Sequence, residues 1–233
     1  MGKHKIYFGS YVEPAPPSSW TFSVNFRDTA GYVTDDTGQT YCLNENYPVN
    51  RAGFTFGFID GLGGDRTRDR DDTLDPRLAG GHFTNSSGSQ DRVLEFQVDL
   101  PATGDYRVKI ACGDPFNTRT NQKAEVFDDT NSLGVIVNDA STAAAHWVDA
   151  TNTERTSEAD WISNNAWSSD LTFTTTTFIL KIGTTNASGD NTFLAHLTID
   201  LIPAGGEQQV DPTGIASTAA LGSPTLTPGE VTV

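Results

Sequence analysis

Three of the four tryptophans in this chain lie between residues 139 and 170, among asparagine, serine and threonine. Indole rings stack on the apolar faces of sugars, and nearby amide and hydroxyl groups bind the sugar hydroxyls. Trp161, Trp167, Asn164 and Asn165 fit this chemistry and form a candidate carbohydrate-binding surface. The alternative is that these tryptophans cap the core or a subunit contact, where tryptophan is also enriched, and the sequence favours that alternative.

A second candidate is a run of aspartates interleaved with arginines. The aspartates are Asp65, Asp69, Asp71, Asp72 and Asp75, and the arginines are Arg66, Arg68, Arg70 and Arg77. Several carboxylates at this spacing could bind calcium, but counting from Asp69 the calcium-loop template requires glycine where Leu74 stands and glutamate where Gly80 stands. The sequence therefore favours a solvated loop in which arginines neutralise aspartates. Calcium is the alternative, and no other metal or cofactor is expected.

No motif for catalysis accompanies these residues. The histidines, His4, His82, His146 and His196, lack the spacing of a metal site, and His196 is expected to be exposed or hydrogen-bonded on the polar side of a strand. The nucleophile-elbow, zinc-protease, Walker and Rossmann patterns are absent from the sequence. Nothing singles out a carboxylate pair for sugar hydrolysis. We therefore expect no catalytic residues and no enzymatic activity.

The charge balance excludes several kinds of partner. Thirty acidic residues against fifteen basic ones give a net charge of -15 over 233 residues, and such a surface repels nucleic acid and anionic lipid. No segment has the apolar length of a membrane span, and the start of the chain lacks the apolar run of a signal peptide. We expect either that the protein is not secreted by that route or that a signal has been removed. Cys112 is expected to act as a small hydrophobe, with a disulfide to Cys42 left open.

The stretch from Arg92 to Asp114 has the clearest strand pattern. Apolar residues alternate with polar ones from Leu94 to Leu100, and again from Tyr106 to Cys112, around a Pro-Ala-Thr-Gly turn. This pattern predicts an antiparallel β-hairpin with one buried face. Acidic side chains on the first strand would then lie opposite basic ones on the second.

Other segments complete an all-β prediction. The spacing of apolar residues predicts strands at 20–26, 54–58, 123–127, 133–137, 177–182 and 193–202, with an edge strand at 6–12. A long surface loop is expected over 61–90, and a short helical turn is weakly indicated at 142–145. Many short strands and almost no helix predict an antiparallel, jelly-roll-like β-sandwich. It would comprise an N-terminal arm (1–19), the sandwich (20–203) and an extended C-terminal tail (204–233).

The tail has too few large apolar residues to build a core by itself. We expect it to be held against another subunit, in a homo-oligomer or a larger assembly. Extended segments bind by strand addition and by placing apolar side chains in pockets. The residues expected to anchor the tail in this way are Ile215, Leu221, Pro224 and Leu226.

Four segments together resemble the galactose-binding-like or malectin-like β-sandwich that accompanies polysaccharide esterases and lyases. They are FSVNFRD (22–28), GFTFGF (53–58), DRTRDRDD (65–72) and FQVDLPATGDYRVKIACGD (96–114). The resemblance implies a jelly-roll sandwich with glycan binding. The hydrolase or lyase domain that normally follows has no counterpart in this sequence, so an enzymatic role is not implied.

One segment of the tail, GIASTAALGSPTLTPG (214–229), is similar to a short repeat of tailed-bacteriophage structural proteins. This resemblance implies a non-enzymatic virion component, such as a capsid decoration, head-fibre or tail-associated protein. It would be assembled in the host cytoplasm with other virion proteins, where disulfides are rare. The first hypothesis is therefore a phage virion protein. The alternative is a carbohydrate-binding module of a cell-surface or polysaccharide-degrading system, and host or environmental glycans are partners compatible with both.

Overall fold

A computed structural model describes residues 17–26, 40–42, 46–59, 67–71, 73–84, 93–183 and 192–203. Within these ranges no helix is both long and apolar enough to cross a membrane. The predicted edge strand at 6–12, the tail (204–233) and its four anchoring residues lie outside the described residues. In chain order the elements are β1 (Thr21–Phe26), β2 (Thr40–Cys42), β3 (Val49–Arg51), β4 (Phe54–Phe58), β5 (Thr67–Asp69), β6 (Gly80–Phe83), β7 (Leu94–Asp99), β8 (Gly104–Cys112), β9 (Arg119–Asp128), β10 (Asn131–Thr142), β11 (Trp147–Val148), β12 (Glu154–Arg155), α1 (Glu158–Asn164), β13 (Leu171–Phe173), β14 (Thr177–Ile182) and β15 (Phe193–Leu201).

The strands form two sheets that pack as a β-sandwich, consistent with the predicted jelly-roll-like fold. Sheet A has the order β12-β11-β8-β15-β1-β2, with β13 also paired to β8, β6 to β15 and β5 to β6. Sheet B has the order β10-β9-β14-β7-β4-β3. The described pairings between strands are antiparallel except that of β1 with β2. The all-β prediction is confirmed.

The core lies between the sheets and is rich in aromatic rings. Side chains alternate across a strand, so each strand contributes every second residue to the interior. Phe96 of β7 is 1 % exposed, and its ring centroid lies 5.1 Å from those of both Phe26 and Phe58. Burying one such ring stabilises the fold by about 1.5–3 kcal/mol. Cys112 is a buried free thiol whose pKa is raised by burial, as expected of a small hydrophobe.

The predicted hairpin across 92–114 is wrong, although both of its strands are present. β7 pairs with β14 and β4 in sheet B, whereas β8 pairs with β15 in sheet A, so the intervening turn crosses between the sheets. The acidic residues of β7 therefore do not face the basic residues of β8. Glu95 instead lies opposite Lys181, and Arg107 lies opposite Asp200. Two strands that face the same interior from opposite sheets have the same alternation as a hairpin, which explains the error.

The crossing turn is fixed at both ends by hydrogen bonds. The amide of Leu100 donates to the carbonyl of Thr176 over 2.8 Å, and the hydroxyl of Tyr106 donates to the carbonyl of Ala102 over 2.8 Å. Tyr106 is itself fully buried. The turn is therefore anchored to sheet B at its start and to the core through β8.

Two further expectations need correction. The 61–90 segment is not a continuous surface loop, because it contains β5 and β6, and Leu78, Ala79 and His82 are buried. The segment has few large apolar residues, so its strands are hard to predict. At Gly81 on β6 a side chain is excluded, because a Cβ there would lie 2.0 Å from the Phe193 ring. The helix is α1, not a turn at 142–145. Because α1 has seven residues, it shows little helical periodicity.

The predicted pair of strands at 123–127 and 133–137 is confirmed as the β9–β10 hairpin, which is longer than expected. Strands at 177–182 and 193–202 are also confirmed as β14 and β15, but they lie in different sheets. At the end of β9 the carboxylate of Asp128 accepts hydrogen bonds from the amides and hydroxyls of Thr174 and Thr175. Asp128 thereby fixes the start of β14, and it is 2 % exposed.

Asp128→Asn is expected to lower the free energy of unfolding by about 1–3 kcal/mol near neutral pH, because an amide cannot accept all of these hydrogen bonds. Burial raises the pKa of Asp128, but the bonds from Thr174 and Thr175 outweigh it and hold the pKa below its usual value. The contribution is therefore complete above the unfolded pKa of about 3.9 and is lost as the pH falls through the lower folded pKa. Urea unfolding at about pH 7 and about pH 3 should show a smaller loss on acidification in the variant than in the wild type. Equal losses would contradict the assignment.

Candidate functional site

The outer face of sheet A carries a continuous polar surface at the end where β8 begins and β15 ends. Residues that point away from the core on β8, β15 and β1 lie side by side there, because the register aligns Arg107 with Asp200 and Asp200 with Thr21. Trp167, from the segment between α1 and β13, lies over the β8 side of this surface. We call this surface the Trp167 face, and it consists of Trp167, Arg107, Lys109, Thr198, Asp200, Thr21 and Ser23.

Hydrogen bonds connect the polar side chains of the Trp167 face across three strands. Arg107 donates to Asp200 Oδ2 from Nε over 3.0 Å and from Nη2 over 2.8 Å. Thr21 donates from its hydroxyl to the other oxygen of Asp200 over 2.6 Å, and the hydroxyls of Ser23 and Thr198 share a hydrogen bond of 2.6 Å. Because the groups hold one another, they form an ordered set of donors and acceptors.

The indole of Trp167 rests on two cations and is half-buried. Its ring centroid lies 4.4 Å from Arg107 Cζ and 4.7 Å from Lys109 Nζ. Cations over an aromatic face are attracted to its negative quadrupole. Arg107 and Lys109 are two positions apart on β8 and project from the same side of it, so β8 supplies both cations that hold the ring.

The backbone on both sides of Trp167 fixes the position of the ring. The amide of Ser168 donates to the Val108 carbonyl over 2.8 Å, and the Ser168 hydroxyl accepts from the Val108 amide over 3.0 Å. The amide of Ala166, on the other side, donates to Asp149 Oδ2 over 3.2 Å. These contacts hold Trp167 against β8 without using its own polar atom.

Asp149 is the centre of the network that shapes the 149–166 segment. Its side chain has no exposed surface, and it accepts from Arg155 Nε over 2.8 Å and from the amide and hydroxyl of Thr151 over 2.9 and 2.6 Å. Burial alone would raise the pKa of Asp149, but the bonds from Thr151, Arg155 and Ala166 hold the pKa below its usual value. Asp149 is therefore ionised at neutral pH and connects β11, β12 and the approach to Trp167.

Trp161, the other predicted stacking residue, is fully buried. It belongs to a second apolar cluster with Leu78, Ala111, Trp147 and Ala195. Its ring also makes an edge contact with His196 at 5.7 Å between centroids. Trp161 thus attaches α1 to the outer face of sheet A, as in the alternative interpretation of the sequence, and it presents no ring face to a ligand.

The four predicted sugar-binding residues are not brought together. Asn164 is exposed on α1, where its Nδ2 donates to Asp160 Oδ1 over 2.8 Å. Asn165 ends the helix, with its amide donating to the Trp161 carbonyl over 2.9 Å. Trp167 alone of the four contacts the polar face of sheet A. Arg107, Lys109 and Asp200 were not predicted as site residues. The one indication in the sequence is that they lie on the polar side of strands with alternating polar and apolar residues.

The aspartate-rich segment is partly self-paired, as expected. Asp75 pairs with Arg77 over 2.7 Å, and Asp71 bonds the amide and hydroxyl of Thr73. Arg70 instead pairs with Asp114, 3.1 Å away. Across the described residues, no three His, Cys, Asp or Glu side chains are grouped closely enough to hold a metal ion. Asp65, Arg66 and Asp72 lie outside those residues.

His196 is hydrogen-bonded, as predicted, but buried rather than exposed, at 2 % exposure. Its Nδ1 lies 2.7 Å from Asn25 Oδ1, and its Nε2 lies 2.8 Å from Thr198 Oγ1. His196 therefore connects the second apolar cluster to Thr198 of the Trp167 face. His196 and Thr198 are two positions apart on β15 and project from the same side of it, so His196 lies beside the Trp167 face and helps to order it.

These features define an antiparallel β-sandwich with one ordered, partly aromatic polar face. No family model matches the sequence, and no curated protein matches it. Among solved structures, the chain is similar to a protein titled Xyl-CBM35 in complex with a glucuronic acid containing disaccharide. The identity is 14 % and the TM-score 0.30, over 59 % of this chain and 88 % of that one. It is also similar to CBM35 from Paenibacillus barcinonensis, with 14 % identity and a TM-score of 0.31 over 62 % of this chain and 91 % of that one. At TM-scores this low, the likeness carries no argument about what this chain binds.

Proposed function

We propose that this chain is a non-catalytic carbohydrate-binding module that binds a glycan on the Trp167 face. The observation that carries the proposal is the half-buried indole of Trp167, which is held over Arg107 and Lys109 by its neighbours' backbone contacts. A ring fixed in this way can stack on a sugar without losing further rotamer entropy.

The polar side chains next to Trp167 supply the second requirement of sugar binding. Asp200 accepts hydrogen bonds, Arg107 donates them, and the hydroxyls of Thr21, Ser23 and Thr198 do both. Sugar hydroxyls need donors and acceptors at fixed positions, and hydrogen bonds hold these five side chains in two groups, Arg107 with Asp200 and Thr21, and Ser23 with Thr198. An extended glycan lying across β8, β15 and β1 would meet the aromatic group first and the hydroxyl-rich region next.

The virion hypothesis stays a prediction. Its evidence lies in residues 204–233, with the anchoring set Ile215, Leu221, Pro224 and Leu226, and the structure does not describe them. Localisation in a virion, homo-oligomer formation and the absence of catalysis also stay predictions. A virion protein with a glycan-binding face would satisfy both hypotheses, so glycan binding is the more direct one to test.

Trp167→Ala is expected to weaken glycan binding about 30-fold or more, because truncating an aromatic residue that anchors a ligand costs about 2 kcal/mol. The wild-type chain would first be screened on a glycan array. The affinity for the best ligand would then be compared between wild type and variant by isothermal titration calorimetry. Unfolding in urea would verify that the variant is folded.

The matched control is Phe116→Ala, which removes an aromatic ring that is 57 % exposed and lies on the β8–β9 loop rather than on the Trp167 face. Its affinity should equal that of the wild type. Equal weakening by both substitutions, or glycan binding unaffected by Trp167→Ala, would place the site elsewhere. A wild-type chain that binds no glycan on a broad array would overturn the proposed function.

A further inference from the structure

Two arginines converge on one buried carboxylate beyond the end of β8. Asp114 Oδ2 accepts from Arg70 Nη2 over 3.1 Å and also from Arg119 Nη2, and Asn117 Nδ2 lies 3.2 Å from the same oxygen. Asp114 is fully buried, and its other oxygen accepts the amide of Phe116 over 2.9 Å. Asp114 is therefore already saturated by donors.

The charges of this group do not balance. Asp114 is the ion-pair partner of both Arg70 and Arg119, so two positive charges share one negative charge. Arg119 is 8 % exposed, and among the residues that the structure describes the buried Nε atoms of both arginines have no hydrogen-bond partner. Burying a cation and leaving its Nε–H group unpaired are both costly, so the described side chains supply one negative charge fewer than this pair of arginines needs.

Aromatic rings hold the two guanidinium groups in place. Arg119 Cζ lies 5.0 Å from the centroid of Phe193, and Arg70 Cζ lies 5.7 Å from the same ring. Backbone hydrogen bonds also fix the main chain at Arg70 and at Asp114. The Arg70 amide donates to the Ala79 carbonyl over 2.8 Å, and the Asp114 carbonyl accepts the Ala145 amide over 3.0 Å. The Arg70 side chain is 23 % exposed, so solvent reaches the group through Arg70, whereas the two Nε atoms are buried.

We propose that Arg70 and Arg119 form a binding site for a small oxyanion, a carboxylate or a sulfate. The anion would approach from the exposed side of Arg70, accept from the terminal nitrogens that Asp114 leaves unused, and accept from the Nε–H groups once the guanidinium groups turn toward it. Guanidinium groups bind carboxylates and related oxyanions through such paired N–H donors. The site lies beyond the C-terminal end of β8, whereas the Trp167 face lies near its start, so the two sites are independent.

The test uses nuclear magnetic resonance of the full chain labelled with ¹⁵N, in which arginine Nε–H groups give separate signals. Sodium sulfate and sodium acetate would each be titrated, with sodium chloride at matched ionic strength as the reference. The Nε–H signals of Arg70 and Arg119 should shift and saturate in the millimolar range for at least one oxyanion, since a single small anion binds weakly. The Nε–H signal of Arg155, which donates to Asp149, should not move.

Arg70→Gln should weaken the response of the Arg119 signal at least about tenfold, because it removes half of the cationic pair. Arg51→Gln, an arginine on β3 of sheet B, is the matched control and should leave the response unchanged. Unchanged Arg70 and Arg119 signals in both oxyanions would overturn the proposal. An equal response to chloride, or a full response in Arg70→Gln, would also overturn it, since either means an adventitious ion only.

Discussion

Asp149→Ala is expected to lower the free energy of unfolding by about 3–5 kcal/mol, the cost of removing one partner of a buried ion pair. The Asp149 side chain is fully buried and that of Arg155 is 16 % exposed, so the substitution leaves a desolvated guanidinium without its carboxylate. The amides of Thr151, Thr153 and Ala166 also lose their acceptor. Urea unfolding followed by tryptophan fluorescence would measure the loss as a lower midpoint with an unchanged slope.

The same substitution should weaken glycan binding in the molecules that remain folded, because Asp149 holds the amide of Ala166 next to Trp167. Asp105→Ala is the matched control. Asp105 is exposed and bonds the hydroxyl of Thr172, so its removal should cost no more than about 0.5 kcal/mol. A similar loss in the two variants would show that Asp149 does not organise the 149–166 segment.

The strand pattern of the sequence identified buried faces well and strand partners poorly. Leu94, Phe96 and Val98 are all buried, as their alternation predicts. Pairing depends instead on which distant strand completes the sheet. Glu95 and Lys181 meet across 86 positions as a salt bridge of 2.8 Å, and nothing in the local spacing indicates it. Alternation records the direction of a side chain relative to the core, and that information is the same for a hairpin and for a crossing between sheets.

The helix could have been found by its cap rather than by its periodicity. Ser157 is the N-cap residue and accepts the amide of Asp160 over 3.1 Å, while Asp160 accepts the amide of Thr156, the residue before the cap, over 2.9 Å. The Ser-x-x-Asp spacing is visible in the sequence. Seven residues give only two helical turns, too few for an apolar stripe to stand out.

The sequence predicted the kind of candidate site, a tryptophan ring beside polar side chains, but not which residues form it. Trp161 and Trp167 stand in similar polar surroundings in the sequence, yet only Trp161 enters the second apolar cluster. The difference arises because α1 packs Trp161 against sheet A, after which Ser168 bonds β8 and leaves Trp167 over Arg107. The position of Trp167 therefore depends on the contact of Ser168 with Val108, about sixty positions earlier in the chain. The spacing of residues within one sequence gives no information about a contact between such distant positions.

Gly113→Ala is expected to lower the free energy of unfolding by about 3 kcal/mol or more, as an overpacked site that cannot relax does. A Cβ at this position would lie 2.0 Å from the carbonyl oxygen of His146 and 2.9 Å from Trp147 Cα. Both neighbours are backbone atoms, so no side-chain rotation relieves the contact. The strand β11 would have to move away from β8, which would break the pairing of Val148 with Cys112.

Gly134→Ala is the matched control for Gly113→Ala. It measures the cost of placing alanine in this backbone conformation without the close contact. Gly134 has a φ of 151°, close to the 159° of Gly113, but a Cβ there meets no atom within 4 Å. Its loss should be about 1–3 kcal/mol, because only the backbone conformation is disfavoured, and it should stay below the loss at Gly113, where the close contact adds to a similar backbone cost. Urea unfolding of both variants would measure the difference. If they lost equal stability, backbone conformation rather than the close approach of β11 would be the reason for glycine at 113. The close approach also bears on the proposed site, since β11 leads directly into Asp149, whose side chain accepts the amide of Ala166 next to Trp167.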